Sequence, residues 1–334
     1  MTIFLKSIIM LGSLGLILGV VLALIFQKLA IKTNDLVERI KLALPGSNCG
    51  ICAFPGCEVY AEKIVKDGIA LNRCLPGEPE AASKIAKILG KNVEIKEPMI
   101  AALTCQGGKV QCRERFIYDG GTDCRQAYIL HGGNKSCVFG CVGLGHCASV
   151  CPFGAIKIGK NRLPIINERK CTGCGICVKE CPKMTLRLIP RTKLVYLACV
   201  SKDKGKAVKD ICSVGCFACN ICIKVCPYDA LNMENNLPVM DFSRCTDCVI
   251  CVHKCPAKSF IDRAKARPYP IISSLCNGCG ECVKVCQFNA IEGNPKERHK
   301  IISAKCIGCG ECFKVCSVKA IKMAGALGYQ HKTA

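Results

Sequence analysis

The hydrophobic pattern begins with one long apolar run and continues as short apolar segments separated by polar turns. Residues Ile8–Phe26 contain no charged side chain, and Lys6, Lys28 and Lys32 flank them. A run of this length predicts one membrane-spanning helix, because about 20 apolar residues cross the hydrocarbon core of a bilayer. The lysines after the run predict that the bulk of the chain lies on the cytoplasmic side of the cell inner (plasma) membrane. A cleavable signal peptide is the weaker alternative, because no small-x-small cleavage site follows the run.

Shorter patterns after this run predict small helices and strands. Apolar residues at helical spacing predict helices over Lys32–Leu44, Glu58–Lys66 and Glu80–Leu89. Apolar residues that alternate with polar ones predict strands at Ala155–Ile158 and Leu186–Ile189. The predicted fold class is therefore α+β.

Cysteines form the most informative pattern, in runs that often end before a proline. One run reads Cys216-x2-Cys219-x2-Cys222-x3-Cys226, and the run that begins at Cys245 repeats it. Bacterial two-cluster ferredoxins have this spacing, and the last cysteine of each run binds the other [4Fe–4S] cluster. The predicted sites are Cys216, Cys219, Cys222 and Cys255, and Cys226, Cys245, Cys248 and Cys251. Zinc knuckles or a disulfide framework are the alternatives, but zinc sites usually pair C-x2-C motifs across long gaps.

Two more pairs of runs flank this one in the sequence. The C-terminal pair keeps the spacing, although Gln287 and Ser317 replace the usual prolines. Its predicted ligands are Cys276, Cys279, Cys282, Cys286, Cys306, Cys309, Cys312 and Cys316. The earlier pair is irregular, because Leu144 stands where a ligand is expected, and Cys137 is the predicted replacement. Its predicted sites are Cys137, Cys141, Cys147 and Cys181, and Cys151, Cys171, Cys174 and Cys177.

A separate motif precedes the ferredoxin-like runs and reads Cys49-x2-Cys52-x4-Cys57-x16-Cys74. Glycines and a proline between its cysteines allow the backbone to bend tightly around a cluster. Because four cysteines lie in one compact stretch, the motif predicts a self-contained [4Fe–4S] module. A zinc site is the alternative.

Five cysteines remain outside the seven predicted sites. Cys199 and Cys212 are interpreted as buried apolar thiols. Cys105, Cys112 and Cys124, with one more ligand, are candidates for an eighth cluster. The histidine beside Cys147, His146, is a candidate hydrogen-bond donor to a cluster sulfur.

Composition changes this picture mainly through charge. The chain has 334 residues, 33 of them Cys, and a formal net charge of +22. Coordinated thiolates change that value, since each [4Fe–4S](Cys)4 site carries about −2 and seven sites leave roughly +8. A nucleic-acid-binding function therefore loses its support, and the regular free thiolates indicate a reducing compartment.

These features predict six segments. They are 1–31, the membrane anchor; 32–95, the first [4Fe–4S] module; 96–136, a Cys/Gly-rich connection; and three ferredoxin-like units, 137–192, 193–262 and 263–334. The predicted architecture is thus one N-terminal transmembrane helix, a small helical module and tandem two-cluster units.

Adjacent [4Fe–4S] clusters exchange single electrons and form a relay. The sequence offers no G-x-G-x-x-G after a strand, no P-loop and no Ser-His-Asp arrangement. Every regular cluster is predicted to have four Cys ligands, which leaves no open iron for a substrate. The chain is therefore predicted to move electrons, with no catalytic residue of its own.

The order of motifs resembles a known family. The apolar run, the Cys49 to Cys74 motif, the Cys105-Gln-Gly-Gly and Cys137-Val-Phe-Gly-Cys141 segments and the ferredoxin repeats are similar to RnfB, the iron–sulfur subunit of the Rnf complex. Rnf complexes are ion-translocating ferredoxin:NAD oxidoreductases. The extra Cys-rich middle region and the third ferredoxin-like unit depart from shorter family members.

The resemblance implies a translocase subunit that accepts electrons from soluble ferredoxin and passes them through [4Fe–4S] clusters. It implies, as partners, membrane subunits that hold the flavins and the NAD site, and no nucleic acid. The alternative is a polyferredoxin subunit of another membrane redox complex, of the hydrogenase type.

Overall fold

The computed structural model describes residues 2–29, 34–94, 97–264 and 266–324. The chain divides into two compact units, residues 1–95 and residues 96–334. The described helices are α1 (Thr2–Leu29), α2 (Asp35–Ala43), α3 (Cys57–Asp67), α4 (Glu78–Leu89), α5 (Cys124–Ile129), α6 (His146–Ser149), α7 (Ile176–Lys179), α8 (Lys206–Lys209), α9 (Ile221–Lys224), α10 (Ile250–Lys254), α11 (Glu281–Val285) and α12 (Glu311–Lys314). The described strands are β1 (Met99–Leu103), β2 (Ile156–Ile158), β3 (Pro164–Ile166), β4 (Leu186–Pro190), β5 (Val195–Leu197), β6 (Leu231–Glu234), β7 (Leu237–Met240), β8 (Phe260–Asp262), β9 (Tyr269–Ile272), β10 (Ile291–Glu292), β11 (Lys300–Ile301) and β12 (Ile321–Ala324).

The apolar run of the N-terminus lies in α1, and its side chains from Met10 to Ile25 are exposed. Within the described residues, no helix combines the length and the apolar character that crossing a membrane requires. The membrane-spanning helix predicted over 8–26 is therefore not supported, although those residues are helical.

Three short helices form the core of the unit over residues 34–94. The Asn34 side chain caps α2 by accepting a hydrogen bond from the Leu36 N–H at 3.1 Å. Ile40, Tyr60 and Ile85 from α2, α3 and α4 are buried in one apolar cluster. The three helices predicted in this part of the sequence are confirmed, although residues 32 and 33 lie outside the described residues.

The described part of the second unit contains three repeats built from two-stranded antiparallel sheets. In each repeat the first and last strands pair, as in β1–β4, β5–β8 and β9–β12, and a hairpin pairs the inner strands, as in β2–β3, β6–β7 and β10–β11. A short helix precedes the inner hairpin and another precedes the last strand. This is the pseudo-twofold layout that the paired cysteine runs predict.

The first ferredoxin-like repeat begins earlier than predicted. Met99 pairs with Pro190 and Leu103 with Leu186, so β1 belongs to the same sheet as the last strand of the repeat. A strand of this sheet therefore lies ahead of the start predicted at 137, and the pattern of cysteines does not reveal a strand that pairs with residues more than 80 positions away. The Cys-rich stretch after β1 is an insertion within the repeat.

Candidate iron–sulfur sites

The four cysteines of the first module converge around the start of α3. Cys57 is the first residue of that helix, and its N–H donates a hydrogen bond to Asn48 Oδ1 at 2.8 Å. Burial raises the pKa of the Cys74 thiol to about 11, and the other three cysteines, Cys49, Cys52 and Cys57, are close enough to add to the shift. Like-charge repulsion among thiolates has this effect until a metal centre neutralises them.

A buried tyrosine positions the segment that carries the last of these cysteines. Tyr60 Oη donates a hydrogen bond to Ala70 O at 2.9 Å and accepts one from the Arg73 N–H at 3.2 Å. Burial raises the pKa of Tyr60 to about 12, so its hydroxyl stays protonated and able to donate. The residue next to Cys74 is therefore fixed to the face of α3.

The second ferredoxin-like repeat brings its cysteines together in the predicted crossed sets. Cys226, Cys245, Cys248 and Cys251 line one cavity of about 350 Å³. Burial raises the pKa of Cys222 to about 12, and the nearby Cys216, Cys255 and Cys219 contribute to the shift. Each run thus places its fourth cysteine beside the partner run.

The third repeat has the same arrangement despite the missing prolines. Cys286, Cys306, Cys309 and Cys312 line a cavity of about 370 Å³. Burial raises the pKa of Cys282, and Cys276, Cys279 and Cys316 raise it further. A buried histidine adds a contact that the sequence did not suggest, since His299 Nδ1 lies 3.7 Å from Cys276 Sγ.

One set in the first repeat follows its prediction as well. Cys151, Cys171, Cys174 and Cys177 line a cavity of about 310 Å³. The N–H of Ala101 in β1 donates a hydrogen bond to Cys171 Sγ at 3.4 Å. Strand β1 therefore stabilises charge on this sulfur.

The other set of the first repeat differs from its prediction. Its cavity, of about 390 Å³, is lined by Cys124, Cys141, Cys147 and Cys181, and not by Cys137. Cys124 begins α5, where the Asp123 carboxylate accepts a hydrogen bond from the Arg125 N–H at 2.8 Å. A cysteine of the insertion thus lies where the sequence offers Leu144, and no spacing rule in the sequence identifies it.

His146 also differs from its prediction, because its ring faces carboxylates. Its Nδ1 lies 3.5 Å from Asp123 Oδ1 and its Nε2 lies 3.4 Å from Glu180 Oε2. The side chain is buried beside the Cys147 cavity. We therefore interpret it as a link between α5 and α7 and not as a donor to sulfur.

Cys137 lies instead at a further cavity, with four of the cysteines that the sequence left over. Cys105, Cys112, Cys137, Cys199 and Cys212 line this space of about 400 Å³. Cys112 and Cys212 also face each other in an antiparallel bridge. A hydrogen bond from the Cys212 thiol lowers the pKa of Cys112 to about 6.

A repeated hydrogen bond supports the last cysteine of most runs. The N–H four residues further on donates to the sulfur at 3.2–3.4 Å, as in Ala155 to Cys151, Ala230 to Cys226, Ser259 to Cys255, Ala290 to Cys286 and Ala320 to Cys316. Hydrogen bonds to a coordinating sulfur favour the more negative state and so raise the reduction potential.

Over the described ranges, no three His, Cys, Asp or Glu side chains converge closely enough to hold a single metal ion. A zinc ion needs its sulfur ligands at about 2.3 Å. The cysteine sets line pockets that are partly open to solvent, and all-sulfur donor sets of this kind suit a four-iron cube.

Models of iron–sulfur families match four parts of the chain. A putative Fe-S cluster family matches residues 44–76 and a 4Fe-4S binding domain matches 164–187. Two families of 4Fe-4S dicluster domains match 215–260 and 270–323. The protein therefore contains several [4Fe–4S] domains, as the spacing predicts.

Similar proteins cover most of the chain. The B component of the Na(+)-translocating ferredoxin:NAD(+) oxidoreductase complex of Acetobacterium woodii is 42% identical over 246 residues, which are 74% of each chain. The chain belongs to the RnfB family. The B component of the proton-translocating ferredoxin:NAD(+) oxidoreductase complex of Clostridium ljungdahlii is 43% identical over 73% of this chain and 87% of its own. That of the ion-translocating oxidoreductase complex of Methanosarcina acetivorans is 38% identical over 77% of this chain and 98% of its own.

Membership in the RnfB family confirms that the protein is an electron-transfer iron–sulfur subunit of an Rnf complex, with other Rnf subunits as its partners. A solved formate dehydrogenase–heterodisulfide reductase–formylmethanofuran dehydrogenase complex of Methanospirillum hungatei contains a chain that is 22% identical. That match covers 53% of this chain and 72% of the other, with a TM-score of 0.23, which establishes no common fold.

Proposed function

We propose that this chain accepts electrons from reduced soluble ferredoxin and passes them through the cysteine sites of residues 97–324 to partner subunits of the Rnf complex. The observation that carries the proposal is that cysteines of neighbouring sites are close enough to affect each other's pKa. Burial raises the pKa of Cys177 to about 12, and Cys147 of the adjacent site contributes. A [4Fe–4S] relay needs this proximity, because single electrons move between adjacent centres.

The same proximity continues between repeats. Burial raises the pKa of Cys309 to about 11, and Cys248 of the preceding repeat adds to the shift. Within the third repeat, burial raises the pKa of Cys312 to about 12, and Cys282 of the other site contributes to the shift. The second and third repeats would therefore supply four neighbouring cluster sites for electron transfer.

The seven predicted sites are proposed here as cluster sites, with one changed ligand. Cys124 takes the place of Cys137 beside Cys141, Cys147 and Cys181. Residues 49, 52, 57 and 74 form the module within the unit 1–95. The segment boundaries at 31, 95, 192 and 262 are part of this proposal.

We infer that electrons enter at the third repeat. Cys279 is exposed, unlike most cysteines of the repeats, so a carrier is able to approach its site closely. The excess of basic residues over the whole chain favours an acidic carrier such as ferredoxin. No step here requires a substrate-binding site in this chain, since flavin and NAD chemistry belongs to partner subunits in this proposal.

We propose that α1 keeps the protein at the membrane part of the complex. Its exposed apolar side chains, from Met10 to Ile25, offer a surface for the membrane subunits. Bulk on the cytoplasmic side would place the clusters in a reducing compartment. Deleting residues 1–31 should release the protein from purified membranes at physiological salt, and continued attachment would contradict this role for α1.

Rapid mixing with reduced ferredoxin tests the proposed function. Reduced ferredoxin should reduce the clusters of the intact chain at least as fast as the Rnf complex turns over. The loss of absorbance near 400 nm measures this reduction. Cys279→Ala should slow the initial phase of reduction. Cys219→Ala, which removes the other exposed cysteine and disturbs its own site in the second repeat, should keep the initial rate and lower only the final amplitude of the absorbance change. Equal slowing by both variants would move the entry site away from the third repeat, and no reduction of the parent protein would reject ferredoxin as the donor.

A further inference from the structure

The Cys-lined cavity outside the seven predicted sites lies between the first and second repeats. Cys105 follows β1 and Cys199 follows β5, while Cys112 and Cys137 come from the insertion and Cys212 follows α8. Backbone hydrogen bonds join the two repeats at this cavity. The Gln106 N–H donates to Ala198 O at 3.2 Å, and the Arg113 N–H donates to Ile211 O at 3.0 Å. Backbone bonds from both repeats thus fix the walls of one cavity.

We propose that Cys105, Cys112, Cys137 and Cys212 bind an eighth [4Fe–4S] cluster, which connects the first and second repeats into one relay. All four cysteines line this cavity. Cys112 and Cys212 face each other in the antiparallel bridge, and the nearest neighbours of a Cβ atom at Gly107 would be Cys212, Cys112 and Cys105. The inference deepens the proposed function and rests on it for the role of the cluster, but not for its presence.

Two glycines keep this cavity open. A Cβ atom at Gly107 would lie 3.3 Å from Cys212 Sγ and 3.7 Å from Cys105 Sγ. A Cβ atom at Gly140 would lie 3.5 Å from Cys137 Sγ. A side chain at Gly107 would fill space between two of the sulfurs, and one at Gly140 would press on Cys137, so glycine at these positions preserves room in the cavity.

A buried lysine provides an independent observation. Lys135 is only 3% exposed, and its Nζ donates a hydrogen bond to the neutral carbonyl oxygen of Gly107 at 2.7 Å. A buried ammonium group is costly unless negative charge lies nearby. A cluster with four thiolates supplies about −2 at this position and would balance the lysine.

The position of the cavity explains what the cluster would do. The Cys141 N–H donates a hydrogen bond to Cys105 Sγ at 3.4 Å, and Cys141 belongs to a site of the first repeat. The Cys216 N–H donates to Cys199 Sγ at 3.3 Å, and Cys216 belongs to a site of the second repeat. The cluster would accept one electron from a site of the second repeat and donate it to a site of the first. This transfer moves no proton and makes or breaks no bond.

Cys199 provides a matched control among the five cysteines. It lines the same cavity, but the nearest neighbours of a Cβ atom at Gly107 would be Cys212, Cys112 and Cys105, and not Cys199. We therefore place it at the edge of the cavity, outside the ligand set.

Iron counting on the full chain, purified without oxygen, tests the site directly. The parent protein should contain about 32 iron atoms, since eight cubes hold four each. Cys112→Ala, Cys212→Ala and the double variant should each contain about 28, because all three lose the same cluster. Cys199→Ala should keep about 32.

Several results would overturn the proposal. These are a parent count of about 28, a loss of about eight irons in the double variant, or iron loss with Cys199→Ala while Cys212→Ala retains its iron. A cystine between Cys112 and Cys212 in the anaerobic protein would also contradict it. The iron content of the unmodified protein tests the proposal by itself, so the proposal can be rejected even if a variant misfolds.

The connecting role has its own measurement. After mixing with reduced ferredoxin, Cys112→Ala should retain fast reduction of the second and third repeats and lose fast reduction of the first, followed by freeze-quench EPR. Fast reduction of all remaining clusters would reject the connecting role, while a parent protein that ferredoxin does not reduce would reject the proposed function instead. Lys135→Met should shift the potential of one cluster to more negative values, since a nearby cation favours the added electron.

Discussion

Tyr228 of the second repeat donates a hydrogen bond from its hydroxyl to Glu311 Oε2 of the third repeat at 2.7 Å. Lys314 Nζ lies 3.0 Å from the same carboxylate and 4.5 Å from the centre of the Tyr228 ring. Burial is the main cause of the raised pKa of both Cys248 and Cys309, and the Glu311 carboxylate adds to it in each, although the Glu311 N–H lowers the pKa of Cys309. A single carboxylate therefore acts on two cysteine sites that belong to different repeats.

Neutralising that carboxylate should raise the reduction potential of the adjacent clusters. Reduction adds negative charge, and Glu311 opposes it; at an effective dielectric constant of about 20 the effect is on the order of 1 kcal/mol, or some tens of millivolts. Redox titration of Glu311→Gln, followed by EPR, measures the shift. Glu281→Gln is the matched control, because Glu281 pairs with Lys284 in the same way but is 50% exposed and better screened. A shift to lower potential would contradict this account.

The crossed ligand pattern predicts which pairs of substitutions share one cluster. Cys255→Ala and Cys216→Ala should each remove about four irons, and the double variant should remove no more, because both ligands belong to one site. Cys226→Ala combined with Cys216→Ala should remove about eight, because Cys226 lies at the other cavity. Iron and acid-labile sulfide analysis distinguishes the two outcomes, and the reverse pattern would mean that each run holds its own cluster.

The ligand that we propose for the first repeat, Cys124, gives a similar prediction. Cys124→Ala should remove the same cluster as Cys147→Ala, so that the double variant loses only about four irons. Cys137→Ala with Cys147→Ala should lose about eight if Cys137 serves the neighbouring cavity. Equal counts for the two double variants would restore Cys137 to the site predicted from the sequence.

Tyr60→Phe should destabilise the first module. The change leaves the Ala70 carbonyl and the Arg73 N–H without their partner, at a cost of roughly 1–3 kcal/mol. The segment before Cys74 should then loosen, and a chelator should remove iron from this module faster than in the parent protein. Tyr128→Phe is the control, since that ring is half exposed; equal rates in the two variants would show that the buried hydroxyl is unimportant.

The cluster-free protein should lose stability as the pH rises. Burial raises the pKa of Cys74 and of Cys147 to about 11 in the folded chain, against about 8.5 in an unfolded one. The folded state then binds more protons in this window, so the stabilisation is complete below pH ~8.5 and is lost as the pH approaches ~11. Allowing for solvent screening, the loss is on the order of 1 kcal/mol per thiol.

Urea denaturation of the cluster-free chain at several pH values measures this loss. The cluster-loaded protein is the control, because its coordinated sulfurs have no proton to lose and should not show the same decline. Stability that increases between pH 8.5 and 11 in the cluster-free chain would contradict the raised pKa values.

The spacing of the cysteines within each run determined much of the local structure of this protein. The run from Cys216 to Cys226 requires a tight loop and a short helix, and those features depend only on neighbouring residues. For this reason the cysteines that line the pockets of the second and third repeats, the helices of the first module and the strands β2 and β4 were predictable from the sequence. The family resemblance, confirmed by the similar proteins, rests on the same local motifs.

Tertiary structure decided the rest, because those contacts join residues that are distant along the chain. The insertion after β1 folds back so that Cys124 reaches Cys147, while Cys137 lies with Cys105 and Cys212 at the junction of two repeats. The sequence pattern does not show that the insertion folds back in this way. Its position depends on strand pairing and packing between residues that are tens of positions apart. The sequence by itself therefore determined the chemistry of the donors, and the fold determined which of them share a site.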